Sequence, residues 1–136
     1  AAYRLVERQI RYLGVEFGIG AYKPRPAEFT LAQGLGDCKD MTALMVTLLR
    51  ELGVDSYPAL IRPRDLGNFI EDHPSPGQFN HVVLYVPDKD GDLWLDATAQ
   101  LGTIDAVPAV PCIFPRAVLS NSMACCAACQ RPVHPS

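Results

Sequence analysis

No stretch of this chain approaches the roughly 18 consecutive apolar residues that a membrane-spanning helix requires, so no membrane span is expected. An excess of one charge sign is missing too. The 12 Lys and Arg are interspersed among 15 Asp and Glu, for a net charge of −3. That balance supplies neither the basic stripe that a phosphate backbone needs nor a polybasic anchor for an anionic membrane surface, and no nucleic-acid partner is expected. Ala1-Ala2-Tyr3-Arg4 is not a charged leader ahead of an apolar segment, so no signal peptide is expected in the chain. No internal repeat is visible. The five cysteines lack the spacing of a disulfide-stapled mini-domain, since Cys38 stands alone while Cys112, Cys125, Cys126 and Cys129 crowd the last quarter. Staples are not required at 136 residues, because one domain near this size buries roughly 68–70% of its unfolded surface.

What is present is an ordinary globular pattern. Leu5, Val6, Gln9, Ile10 and Leu13 recur at helical spacing and predict a first amphipathic helix over residues 3–13. Gly14, Gly18, Gly20, Pro24 and Pro26 then mark a loop, and a short helix over 27–33 is expected to end at Gly34. The clearest helix covers 38–52. Asp37 is a good N-cap, Asp40 adds negative charge to the first turn, and Met41, Leu44, Met45, Leu48, Leu49 and Leu52 form one apolar face. Gly53 stands where a C′ glycine ends a helix.

A strand is expected over 54–62, with Pro58 suggesting an edge or a bulge. Residues 63–79 read as a long loop, able to form a rim or lid. Segments 80–86 and 92–98 are strand-like, and Pro87-Asp88-Lys89-Asp90-Gly91 between them is turn chemistry, so an antiparallel hairpin is predicted. Beyond Gly102 the pattern decays.

Three residues in this framework point to one chemistry. Cys38 is the first residue of the predicted helix, where unpaired amides and the positive end of the dipole favour an anion. The thiolate, not the thiol, is the nucleophilic form of cysteine. Cys38, Met41 and Met45 share a helical face, so the sulfur is expected where helix meets sheet. If the hairpin turn centres on Asp88 and Lys89, His81 lies opposite Asp96 on the same face of the sheet. Asp96 would then hold one ring nitrogen and leave the other for the thiol. An offset of a single residue would break this arrangement.

These residues also carry a family likeness. Gly36-Asp37-Cys38-Lys39-Asp40, followed by Leu44 and Leu48-Leu49-Arg50-Glu51-Leu52-Gly53, resembles the nucleophile helix of bacterial transglutaminase-like proteins. Asn80-His81-Val82 and Leu93-Trp94-Leu95-Asp96-Ala97-Thr98 resemble that superfamily's histidine and aspartate strands, in the same order. Ile10-Arg11-Tyr12 and Val15-Glu16-Phe17-Gly18 are similar to the region upstream. The likeness spans residues 3–107, so 1–107 reads as the core and 108–136 as a C-terminal segment that the family does not match.

The resemblance implies an α+β fold of papain-like or transglutaminase type, its nucleophile helix packed on an antiparallel sheet. It implies a cysteine enzyme that transfers acyl groups or hydrolyses amides through a thioester, with Cys38, His81 and Asp96 as its triad. Protein or peptide amides would be the donors, with an amine or water as acceptor and no cofactor or metal. Gln33 resembles the upstream glutamine of papain-like peptidases and Tyr12 the upstream aromatic of transglutaminases, so both are oxyanion candidates. The backbone amide of Cys38 is the natural first oxyanion donor. The resemblance further implies a domain of a larger, periplasmic or otherwise extracytoplasmic bacterial protein.

Two rival classes stand beside this reading. One is a non-catalytic protein-binding module on the same fold. The other is a metal-binding protein, using Cys126 and Cys129 with His134 and Cys125 or Cys112, or using the triad residues themselves. Trp94 alternates with Asp96 and so either walls the site or packs in the core.

Overall fold

A computed structural model of the chain describes residues 1–14, 18–62, 70, 72, 75–99 and 113–114. In chain order the elements are α1 (Ala2–Gln9), β1 (Arg11–Tyr12), α2 (Ala27–Gln33), β2 (Leu35–Gly36), α3 (Cys38–Glu51), β3 (Tyr57–Ile61), β4 (His81–Val86), β5 (Leu93–Leu95) and β6 (Ile113–Phe114). Single 3₁₀ turns cover Gly18–Ala21 and Pro76–Gln78. The architecture is α+β, with an antiparallel four-stranded sheet in the order β5-β4-β3-β6 and a small parallel pair, β1-β2. No helix among the described residues is long and apolar enough to cross a membrane.

The central helix forms as its sequence predicts. Asp37 Oδ1 accepts hydrogen bonds from the amides of Lys39 and Asp40, each 3.1 Å, and Asp40 Oδ2 accepts from the Asp37 amide at 3.3 Å. This reciprocal capping box satisfies donors that a helix start otherwise leaves unpaired. At the other end Gly53 adopts φ 74°, the left-handed turn that stops α3. Met41, Leu44 and Met45 are buried together with Val6, Ile10, Leu84, Leu95 and Ala97. One such fully buried side chain stabilises the fold by roughly 1.5–3 kcal/mol. That cluster joins α1 and α3 to one face of the sheet.

The other face carries Ala59, Ile61 and Val83, with Tyr85 and Trp94 packed against them. Trp94 therefore packs within this second cluster, its ring centroid 4.6 Å from that of Tyr85.

Three local expectations are corrected. The first helix stops at Gln9 rather than continuing to residue 13, because the next residues pair elsewhere. Ile10 is extended, and the amides of Arg11 and Leu13 donate to the carbonyls of Gly34 and Gly36 at 2.8 and 2.9 Å. Val6 and Ile10 are buried while Leu13 is 49% exposed, so the helical period loses its buried face at that point.

The hairpin register is also displaced. A turn centred on Asp88 and Lys89 would oppose Tyr85 to Asp92, whereas Tyr85 pairs with Trp94. The chain turns around Lys89 and Asp90, with the Gly91 amide donating to the Asp88 carbonyl and Gly91 at φ 137°. The offset is two residues, and an even offset leaves every side chain on its expected face.

Finally, β3 is not simply an edge strand, since β4 flanks it on one side and β6 on the other. The β6 pairing reaches only Leu60 and Ile61, so Pro58, which lacks an N–H, faces no ladder partner on that side among the described residues.

Candidate active site

The site is built at the end of the sheet where α3 begins. The Thr42 hydroxyl, buried, donates to the Val82 carbonyl at 3.4 Å and ties the opening turns of α3 to the opening residues of β4. His81 is the first residue of β4, and Asp96 follows the last residue of β5. His81 Nε2 lies 2.8 Å from Asp96 Oδ2. Cys38 lies close enough to act on the charge of the same ring. With Nε2 committed to Asp96, Nδ1 is the nitrogen left for a sulfur. His81 and Asp96 are therefore brought into contact, with Cys38 beside them.

The electrostatics are those of a charged pair. Burial of the His81 ring works against its charged form. Its hydrogen bond with Asp96, together with that carboxylate's charge and the neighbouring Cys38, outweighs that burial and raises its pKa to about 9. Burial pushes Asp96 upward, but hydrogen bonds from His81 and Thr98 hold its carboxyl below the usual range. At neutral pH the imidazole thus keeps its proton and Asp96 keeps its charge. Cys38 is only 5% exposed, whereas the His81 and Asp96 side chains retain 20% and 17% exposure. Solvent meets the site on the imidazole side.

The charged run around Cys38 is buried, which the sequence did not suggest. Asp37, Lys39 and Asp40 are all buried because each charge has a partner. The Lys39 ammonium pairs with Asp37 Oδ2. Asp40 accepts from the Arg25 amide at 2.7 Å and from the Arg25 guanidinium at 2.9 and 2.6 Å. Burial would raise the Asp40 carboxyl, yet these bonds hold it below its ordinary value. Lys39 and Arg25 thus neutralise the two carboxylates that flank Cys38 in sequence.

The oxyanion candidates differ. Asp37 caps the amides of Lys39 and Asp40 but not that of Cys38, so the Cys38 amide is left free of the cap. Tyr12 pairs in register with Gly36, two residues ahead of Cys38, and is 42% exposed. Gln33 is the exposed last residue of α2.

The chain was compared with known protein families, curated proteins and solved structures. It matches none of them. Among the described residues no group of three His, Cys, Asp or Glu side chains could hold a metal ion. Cys112, Cys125, Cys126, Cys129 and His134 lie outside the described residues, as do residues 63–69, 71, 73 and 74 of the loop expected over 63–79.

Several site residues went unassigned in the sequence. Arg25 stands 15 positions from Asp40 and carries no local signal. Gly36 had one: it precedes the cap by one residue, and an added Cβ would lie 3.0 Å from Thr30 Cγ2 and 3.1 Å from Asp40 Cβ. Thr98, two residues after Asp96, fits an Asx-turn pattern.

Proposed function

We propose that this chain is a cysteine acyltransferase or amide hydrolase on a papain-like, transglutaminase-type core. The observation that carries the reading is the 2.8 Å pairing of His81 Nε2 with Asp96 Oδ2, with Cys38, at the first position of α3, near enough to act on the same ring. The order helix-start cysteine, strand-start histidine and next-strand aspartate supports it, as does the packing of α3 on an antiparallel sheet.

In this mechanism Cys38 Sγ attacks the carbonyl carbon of a protein or peptide amide, forming an S–C bond. The developing oxyanion is met by the Cys38 amide, which the Asp37 cap leaves available. His81 gives its Nδ1 proton to the departing nitrogen as the C–N bond breaks, leaving a thioester. Water or an amine then loses a proton to His81 and attacks the thioester, and the C–S bond breaks to return the thiolate. Asp96 stays ionised throughout and keeps the ring oriented.

The test is mass spectrometry of two separate samples, one after brief iodoacetamide exposure near neutral pH and one, never alkylated, after incubation with glutamine peptides and simple amines. Cys38 is expected to be alkylated first among the five cysteines, and to yield an acyl adduct that Cys38→Ala lacks. Equal labelling of the other cysteines with Cys38 unreactive would favour a non-catalytic binding module on the same fold.

A further inference from the structure

Asp96 lies in a short turn just beyond β5, and that turn is tied down more heavily than a hairpin end requires. Its Oδ1 accepts from the Thr98 amide at 2.9 Å and from the Thr98 hydroxyl at 2.7 Å. Its carbonyl accepts from the Ala99 amide at 3.3 Å, and the Tyr3 hydroxyl, reaching from α1, contacts the carbonyls of Asp96 and Ala99 at 3.3 and 3.2 Å. Both carboxylate oxygens therefore have assigned partners, Oδ1 with Thr98 and Oδ2 with His81.

We propose that Thr98 is a positioning residue, whose hydroxyl fixes the Asp96 carboxylate so that Oδ2 stays aimed at His81 Nε2. The χ2 of an aspartate is a broad and nearly two-fold torsion. The Thr98 amide already holds Oδ1, and the shorter hydroxyl bond narrows the torsion further, in the way that outer partners of catalytic ligands do elsewhere. Tyr3 restrains the backbone of the same turn. The functional meaning of this role rests on the cysteine acyl-transfer reading above, while the role itself is defined by the His81–Asp96 geometry.

The groups facing this pair come from three elements. Cys38 meets the ring from α3, Thr98 and Tyr3 meet the Asp96 turn from β5's extension and from α1, and Glu7 and Arg4 act on the Tyr3 phenol. A titration of His81 in Thr98 variants therefore has to be read with these groups unchanged.

The experiment follows the His81 ring by NMR against pH in the full chain, with His81→Gln assigning its signal among the three histidines. In Thr98→Val, which keeps the shape and the amide but lacks the hydroxyl, the His81 midpoint is expected to fall by about half a unit to one unit, with alkylation of Cys38 at neutral pH slowing about threefold to tenfold. Thr98→Ser should retain wild-type behaviour in both measurements. A Thr98→Val titration that superposes on wild type overturns the proposal, and so does a Thr98→Ser protein that behaves like Thr98→Val. Should Thr98→Val fail to fold by circular dichroism, Thr98→Ala, which also lacks the hydroxyl and keeps the amide, supplies the same decision. Its His81 titration should be displaced as expected for Thr98→Val, and one that superposes on wild type overturns the assignment. A shifted His81 titration with Cys38 unreactive in every variant would support the positioning role and count against the acyl-transfer reading alone.

Discussion

His81 and Asp96, 15 residues apart in sequence, meet through Nε2 and Oδ2 at 2.8 Å across the open end of the β4–β5 hairpin. Neither residue belongs to the β4–β5 ladder, which covers Leu84–Leu95, Tyr85–Trp94 and Val86–Leu93, although His81 pairs with Ile61 of β3 on its other side. The contact is thus made by side chains beyond the paired stretch of the hairpin.

That pairing makes stability depend on pH with a definite sign. The folded-state pKa of His81 is about 9 against an ordinary value of 6.5. Its contribution is complete below pH 6.5 and is lost as pH rises through about 9. Urea denaturation should therefore show a loss on the order of 2–3 kcal/mol between these limits. The comparison with His81→Gln isolates the effect, since that variant should lack this part of the pH dependence. Asp96 acts at the other end of the scale: its carboxyl is held low, so its contribution exists above the ordinary carboxylate range and disappears as pH falls below it.

Removing the ring should also quiet the sulfur. In His81→Ala, iodoacetamide labelling of Cys38 at neutral pH is expected to slow at least about tenfold, since the ring that activates the sulfur in the proposed mechanism is gone. Intact labelling kinetics in a folded His81→Ala protein would mean that the ring does not act on Cys38.

Arg25 supplies a separate test of the charges around the nucleophile. Its guanidinium neutralises Asp40, whose side chain is 2% exposed. Arg25→Met leaves that carboxylate buried without its cation and should destabilise the fold by about 3 kcal/mol. It should also slow Cys38 labelling, because an uncompensated negative charge then lies two residues from the sulfur. The double variant Arg25→Met/Asp40→Asn removes both charges and should recover part of both losses. Chemical denaturation and alkylation rates measure the two effects independently.

Gly36 tests the close approach ahead of the cap. A methyl group there would meet Thr30 Cγ2 at 3.0 Å and Asp40 Cβ at 3.1 Å, and Met41 Cγ at 3.4 Å. Thr30 is buried and Asp40 is pinned by Arg25, so neither can yield easily. Gly36→Ala is expected to cost about 1–3 kcal/mol in urea denaturation. It should also alter Cys38 labelling, because β2 leads directly into the cap.

Much of this arrangement is written in short-range chemistry. The Asp37 cap, the apolar period from Met41 to Leu49 and the glycine stop at Gly53 are interactions among residues within a few positions of each other. For that reason α3 and its placement of Cys38 are legible without a fold. Alternation in β4 and β5 likewise assigns His81 and Asp96 to one face, and it survives the two-residue error in register because the side-chain period of a strand is two.

The tertiary structure alone decided the rest. Where α1 ends depended on the parallel pairing of β1 with β2, a contact between segments more than twenty residues apart. The burial of Lys39 and Asp40 depended on whether Arg25 would arrive to balance them, and the carboxylate of Asp96 needed Thr98 and the fold-dependent Tyr3 around it. Such contacts come from chain segments that meet only when the core closes, so no local pattern announces them. A cap or a period is set by neighbours along the chain, but the partner of a buried charge is set by whatever the packing brings beside it.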